Sequence, residues 1–246
     1  MKLLVVNANT TQFVTDRVAA EARQAASPGS EIHAVTGEFG AQVIGTRAEN
    51  AIAAHAMVDL MARHAGGCDA ALIAVSYDTA LDASRQLLPI PVVGMTEAAL
   101  LTACMLGGRI GIVTFGRPGL PMYQELVARY GLASRVAGWG VIEAPSAFRP
   151  GDTTQVDRLV VAEANRLVEQ DGAETVILSG AVMAGVPRRL QAQVPVPLID
   201  GIACGVGHAE LLVRLKLPKP TAGSYAMPAG REVSNVSAAL RKAFGG

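Results

Sequence analysis

The segment 76–79 carries four consecutive polar side chains directly after an apolar run that ends at Val75. It places a hydroxyl, a phenol, a carboxylate and a second hydroxyl on one predicted turn. A phenol or a carboxylate acts as a general acid or base when its surroundings tune its pKa. We therefore predict Ser76, Tyr77 and Asp78 as catalytic groups, and Val75 and Thr79 as substrate contacts.

Each of the three predicted catalytic groups also has a structural interpretation. Asp78 can order the turn by accepting backbone N–H bonds, and Tyr77 can pack with only its hydroxyl in water. Ser76 becomes a nucleophile only beside a base. No GxSxG sequence surrounds it, and no spacing pairs it with a histidine. Both interpretations stay open at the level of the sequence.

Another polar turn follows the first apolar run of the chain. Asn7, Asn9 and Thr10 lie between a predicted strand and a predicted helix. Backbone N–H groups at such a helix start can bind a carboxylate or an imide oxygen. We predict these three residues as substrate-binding, although Thr10 can equally cap the helix.

Two further strand ends complete the predicted set of substrate contacts. Thr114 and Phe115 follow one apolar run, and Phe115 predicts an apolar wall there. Ser179, Gly180 and Ala181 follow another. Ser179 and the backbone amides after Gly180 are predicted to bind a substrate oxygen.

An internal repeat relates these turns to one another. Three segments of the first hundred residues resemble three later segments, in the same order and at nearly the same spacing. The matched pairs are residues 2–11 with 109–118, 68–80 with 173–185, and 89–100 with 194–205. The repeat therefore predicts two half-domains of similar topology.

Short apolar, β-rich runs alternate with Ala-rich helical segments along both halves, which is typical of parallel sheets covered on both faces. We predict an α/β fold of two Rossmann-like or flavodoxin-like half-domains related by a pseudo-twofold axis. The first half comprises residues 1–95 and 205–246, and the second comprises 96–204. Ligands of open α/β sheets bind outside the carboxyl ends of the strands, so the active site is predicted in the cleft between the halves.

The composition of the chain excludes some classes of partner. Lys plus Arg and Asp plus Glu number 21 each in 246 residues, without a basic stripe, which argues against nucleic acid and membranes. We predict a small-molecule substrate and a homo-oligomer.

The three cysteines form no CxxC pair, which favours the reducing cytoplasm. No metal-ligand cluster and no phosphate loop is visible, so we predict no metal and no cofactor.

Three motifs resemble the Asp/Glu/hydantoin racemase superfamily, most closely its hydantoin and allantoin racemases, and also arylmalonate decarboxylase. VVNANTT (residues 5–11) is similar to the N-terminal VxNPNT of the family. AVSYDTALDASRQLLPIPVVGMTEAAL (residues 74–100) resembles the segment at the first catalytic cysteine of hydantoin racemases. VILSGAVMAG (residues 176–185) resembles the segment around the second one.

The resemblance implies a two-thiol mechanism, from which this sequence departs. In the family, one thiol removes a proton from carbon and the other returns a proton on the opposite face. Aligned without gaps, Val75 and Gly180 occupy these two positions, and neither carries a proton. Of Cys68, Cys104 and Cys204, only Cys204 lies near a helix start that can face the cleft.

The resemblance implies a cofactor-independent isomerase of a small amino-acid derivative or a cyclic ureide such as a hydantoin, with a site that lacks the two cysteines. Two alternatives stay open. A diverged hydrolase, lyase or decarboxylase would use the 76–79 turn and hold oxyanion charge on strand-end amides. A non-catalytic protein would keep the cleft for binding a molecule with carboxylate or imide oxygens.

Overall fold

The computed structural model describes residues 1–143, 147, 150–228 and 230–245. In these residues, eight strands form two parallel four-stranded sheets. The first sheet has the order β2-β1-β3-β4, with β1 (Lys2–Asn7), β2 (Glu31–Thr36), β3 (Ala70–Ile73) and β4 (Val92–Gly94). The second has the order β6-β5-β7-β8, with β5 (Ile110–Phe115), β6 (Val136–Ile142), β7 (Thr175–Leu178) and β8 (Leu198–Asp200).

Helices connect the strands and cover the sheets. They are α1 (Gln12–Ala25), α2 (Arg47–His64), α3 (Leu81–Leu87), α4 (Met95–Leu106), α5 (Leu120–Arg129), α6 (Thr154–Asp171), α7 (Val186–Leu190), α8 (Gly201–Leu215) and α9 (Ala238–Ala243). Among the described residues, no helix combines the length and the apolar character that a membrane crossing requires.

The two sheets share one strand order, and the predicted repeat pairs the equivalent strands. The first pair of repeat segments, 2–11 and 109–118, contains β1 and β5, which are inner strands of their sheets. The other matched segments contain β3 with β7 and β4 with β8. The predicted α/β fold with two parallel sheets is therefore confirmed.

Continuous apolar sequence builds the centre of each sheet, because helices cover both of its faces. All four residues of β3 and all four of β7 are buried. In β1, burial extends from Leu3 to Asn7. The buried strands therefore fix the positions of the turns that follow their carboxyl ends.

Helices α4 and α8 cross between the two sheets. After leaving β4, α4 packs Leu100 and Ala103 into a cluster with Ile112 and Ile177 of the second sheet. In turn, α8 packs against the first sheet, where a Cβ at Gly205 would overlap Leu72. The half-domain boundaries at 95/96 and 204/205 stay a prediction.

Candidate functional site

A cavity of about 770 Å³ lies at the carboxyl ends of both sheets. The turns after β1, β3, β5 and β7 border it, together with the segment 42–46. These are the sheet edges at which the sequence predicts ligand binding.

Most of the predicted site residues line this cavity. They are Asn9, Thr10, Val75, Ser76, Tyr77, Phe115, Ser179, Gly180 and Ala181. Four others lie outside the described lining. They are Asn7, Asp78, Thr79 and Thr114.

A cluster of three hydroxyl side chains forms one wall of the cavity. The Ser76 Oγ lies 2.5 Å from the hydroxyl oxygen of Tyr123, and the rings of Tyr77 and Tyr123 pack with centroids 4.4 Å apart. Burial and then the neighbouring Tyr123 phenol raise the pKa of Tyr77 well above its usual range. Tyr77 is therefore a neutral phenol at physiological pH. Because the partner of Ser76 is also a phenol, none of the described residues places a base in hydrogen-bond contact with the Ser76 hydroxyl, as a serine nucleophile needs.

Asp78 lies behind this wall rather than in the cavity. Its carboxylate accepts hydrogen bonds from the backbone N–H groups of Thr96 (3.0 Å) and Glu97 (2.8 Å) and from the Tyr130 hydroxyl (2.7 Å). Burial raises the pKa of Asp78 to about 6, against the effect of these hydrogen bonds. A Cβ at Gly94 would overlap this carboxylate. The placement corresponds to the structural interpretation of Asp78, which ties the turn after β3 to the start of α4.

Asp200 makes the equivalent connection in the second sheet. Its carboxylate accepts hydrogen bonds from the backbone N–H groups of Ile202 (2.8 Å) and Ala203 (3.2 Å), which caps α8. It also accepts one from Gly185 (2.6 Å), after β7. Burial raises its pKa as well. Asp200 ends β8 just as Gly94 ends β4, so the two carboxylates make similar connections from different positions in the chain.

The other predicted residues outside the cavity support the turns that line it. The Asn7 amide is fully buried and donates to the Asn9 Oδ1 at 2.9 Å. The Thr79 hydroxyl donates to the Asn50 Oδ1 at 2.6 Å. Thr114 is fully buried, and its hydroxyl has no hydrogen-bond partner in the described part of the chain. These positions follow from the strand pattern, but their side chains point away from the cavity lining.

The turn after β7 offers donors and empty space. The Ser179 hydroxyl is buried and, within the described residues, has no hydrogen-bond partner. The backbone N–H groups of Gly180 and Ala181 likewise meet no acceptor in the described residues. A Cβ at Gly180 would have no neighbour nearer than 3.7 Å. This turn can bind a carbonyl or enolate oxygen beside a space that no side chain fills.

No thiol is among the described residues that line the cavity. Cys68, Cys104 and Cys204 are free, and Cys204 packs between the two sheets at the edges of two apolar clusters. Burial raises the pKa of the Cys204 thiol, which disfavours the thiolate. The described residues also contain no group of three or more His, Cys, Asp or Glu side chains that could hold a metal ion.

Residues that the sequence pattern did not indicate approach the cavity from other elements. Segment 42–46 precedes α2, where Glu49 accepts hydrogen bonds from the backbone N–H groups of Gly45 (2.9 Å) and Thr46 (2.8 Å). Tyr123 reaches the cavity from α5, and Glu143 follows β6. Segment 42–46 and Glu143 follow the outer strands β2 and β6, which the matched repeat segments do not contain. No local signal marks Tyr123.

Comparisons with known proteins place the chain among racemases. The Asp/Glu/Hydantoin racemase family model matches residues 3–209. The hydantoin racemase of Paenarthrobacter aurescens is 31% identical over 238 residues, which cover 94% of this chain and 99% of that protein. A solved allantoin racemase from Klebsiella pneumoniae is 31% identical with a TM-score of 0.93, over 98% and 99% of the two chains. A structure of arylmalonate decarboxylase is 16% identical with a TM-score of 0.60, over 88% and 94%, which is a likeness of fold.

Proposed function

This chain belongs to the Asp/Glu/hydantoin racemase family, and from that premise we propose that it is a cofactor-independent isomerase of small cyclic ureides. One observation carries the proposal. Hydrogen-bond donors from both halves of the repeat border one cavity, yet its described lining contains no cysteine, lysine, arginine or histidine. The proposed site therefore works without thiols, with Val75 and Gly180 at the positions where family members carry them.

The charge of the lining supports a neutral ring rather than a carboxylate as the substrate. A carboxylate taken out of water is stabilised most strongly by a cation. The ionisable side chains among the described lining residues are Glu143, Tyr77 and Tyr123, none of which is a cation. A hydantoin ring carries carbonyl oxygens and N–H groups, which match the amides and hydroxyls of Asn9 and Ser179. Cyclic ureides therefore fit this cavity better than free amino acids do.

The proposed reaction moves a proton at the carbon next to a ring carbonyl. When that proton leaves, negative charge develops on the carbonyl oxygen, and backbone N–H groups stabilise it most in a site that excludes water. The free amides of Gly180 and Ala181 and the Ser179 hydroxyl are suited to that oxygen. In this proposal the proton passes to the carboxylate of Glu143, the one carboxylate in the described lining. The Ser76 hydroxyl, hydrogen-bonded to Tyr123, relays a proton from solvent back to the carbon.

Exchange in heavy water tests the proposal. The single-enantiomer hydantoin of alanine is incubated with the protein, and C–H exchange, optical rotation and mass are followed together. We expect exchange with inversion and no change of mass other than deuterium uptake. A product of different composition would identify a hydrolase or a lyase instead. Tight binding without exchange would identify a binding protein.

A pair of serine variants tests the role of Ser76 in the exchange. Positioned proton-transfer groups contribute about a hundredfold or more to rate, so Ser76→Ala is expected to slow exchange by about that factor. Ser84→Ala is the matched control, because Ser84 is fully buried, lies outside the cavity lining and has no hydrogen-bond partner in the described residues. Equal rates in both variants would contradict the role of Ser76.

We further propose that the protein self-associates in the cytoplasm. Helices α4 and α8 present exposed apolar side chains, among them Leu101, Met105 and Leu215. Large apolar surface patches mark protein contacts. Three free thiols suit a reducing compartment. Light scattering on the purified protein measures the mass of the assembly, and a monomer at micromolar concentration would contradict self-association.

A further inference from the structure

A second cavity of about 400 Å³ lies on the other side of Tyr77. Its lining comes from the start of α2 and from α5. The described residues that border it are Arg47, Asn50, Tyr77, Met122, Glu125, Leu126 and Arg129. Of the described lining residues, Tyr77 alone borders both cavities. One side chain therefore separates two spaces.

Tyr77 is held in place from two directions, so it acts as a wall. Its ring packs on the ring of Tyr123 at an interplanar angle of 34°. Its hydroxyl lies so close to Gly119 that a Cβ there would overlap the oxygen. Only 7% of Tyr77 is exposed. A rotation of the ring would break the stacking contact and run into the backbone.

The two cavities differ in charge. The described lining of the main cavity contains no cation, whereas Arg47 and Arg129 both border the second one. Arg47 is paired with Glu125. Arg129 has no ion-pair partner among the described residues, and its guanidinium lies 5.7 Å from the centre of the Tyr130 ring. The second cavity therefore holds a cation that has no ion-pair partner among the described residues and that suits a carboxylate.

We propose that Tyr77 determines specificity by limiting the length of the ring substituent, and that the cavity behind it accepts an anionic end once the ring is removed. This inference rests on the proposed function, because it takes a cyclic ureide as the ligand of the main cavity. The wild-type protein then binds hydantoins with short substituents and excludes longer ones. Removal of the Tyr77 ring joins the two cavities and brings Arg129 within reach of the substituent.

Three hydantoins serve as probes in calorimetric binding measurements. The hydantoin of alanine has a short substituent, and those of glutamate and glutamine are longer, of equal length, and differ in charge. Tyr77→Ala is expected to bind the glutamate-derived probe at least about tenfold more tightly than the wild-type protein does, as for one charge-assisted hydrogen bond. Tyr77→Phe keeps the ring and is expected to exclude the long probes as the wild-type protein does.

Each further outcome supports or overturns a part of the proposal. Adding Arg129→Ala to Tyr77→Ala is expected to abolish the gain for the glutamate-derived probe, and an equal gain for the glutamine-derived probe would overturn the anionic subsite. Equal affinity of wild type and Tyr77→Ala for the long probes would overturn the role of the wall. If Tyr77→Ala does not fold, Gly119→Ala tests the same wall by displacing the Tyr77 hydroxyl. Failure of the wild type to bind or turn over the alanine-derived probe would instead contradict the proposed function.

Discussion

Replacing Gly180 with alanine is expected to destabilise the protein without creating a clash. The backbone at this residue has φ 126° and ψ 126°, a conformation that residues with a Cβ rarely adopt. The space beside it is open, since the nearest atoms to a Cβ lie 3.7 to 3.9 Å away. The cost is therefore conformational, and such strained residues cost about 1–3 kcal/mol each. For a chain of this size, that corresponds to a Tm lower by roughly 2–12 °C.

Gly207→Ala is the matched control for this substitution. Gly207 is exposed within α8, has no positive φ, and a Cβ there would meet no atom within 4 Å. Glycine inside a helix is about 0.5–1 kcal/mol less stable than alanine, so this variant is expected to gain stability. The same chemical change thus has opposite signs at two sites that both have room for a methyl group.

Thermal and urea denaturation of the two variants test whether the two substitutions change stability in opposite directions. A Gly180→Ala protein as stable as the wild type would refute the reasoning, because it would show that the turn relaxes to an ordinary conformation. If the expected loss is observed, Gly180→Cys carries the same cost. A thiol then cannot be introduced at this position without reshaping the turn that presents the amides of Gly180 and Ala181.

Three other predictions concern the groups around the cavity. Burial raises the pKa of Asp200 and that of Asp78, the latter to about 6, so both carboxyls bind protons more tightly in the folded state. The contribution of Asp78 to stability is expected to decrease as the pH rises from about 4 to 6, and that of Asp200 changes in the same direction. Urea denaturation against pH would contradict this if the free energy of unfolding rose through that window. Tyr130→Phe removes a hydrogen bond to the Asp78 carboxylate, so the free energy of unfolding should drop by about 1.5–3 kcal/mol, and an unchanged urea midpoint would argue against it. Cys204→Ala is expected to leave the rate of hydantoin exchange unchanged within about threefold, because the thiol lies outside the cavity lining; a hundredfold slower rate would place a thiol in the reaction.

The fold could be predicted from the sequence because the strands are buried on both faces. Buried parallel strands read as continuous apolar runs, and β3 and β7 do so over their whole length. The repeat then predicted which strands are equivalent, without any information on contacts. Strand order within each sheet needed the structure, since the spacing of runs alone does not determine which strands pair.

The candidate site could be predicted only as far as the strand-end turns reach. Ser76 and Ser179 are at such turns and line the cavity. Asp78 is at the same turn as Ser76, but its positive φ directs the carboxylate to α4. Tyr123 comes from a helix 47 residues further along the chain, and its contact with Ser76 depends on how the two sheets pack. Side-chain direction and long-range packing are the properties that the pattern of strands does not encode.

The two aspartate connections have a consequence for the order of folding. Asp78 binds the start of α4 across 18 residues, and Asp200 binds Gly185 across 15. Contacts between residues so close in sequence cost little loop-closure entropy and can form early. By contrast, the hydrogen bond from Tyr130 to Asp78 spans 52 residues. Each wall of the cavity can therefore take shape within its own stretch of chain, whereas the binding site is complete only once the two sheets pack together.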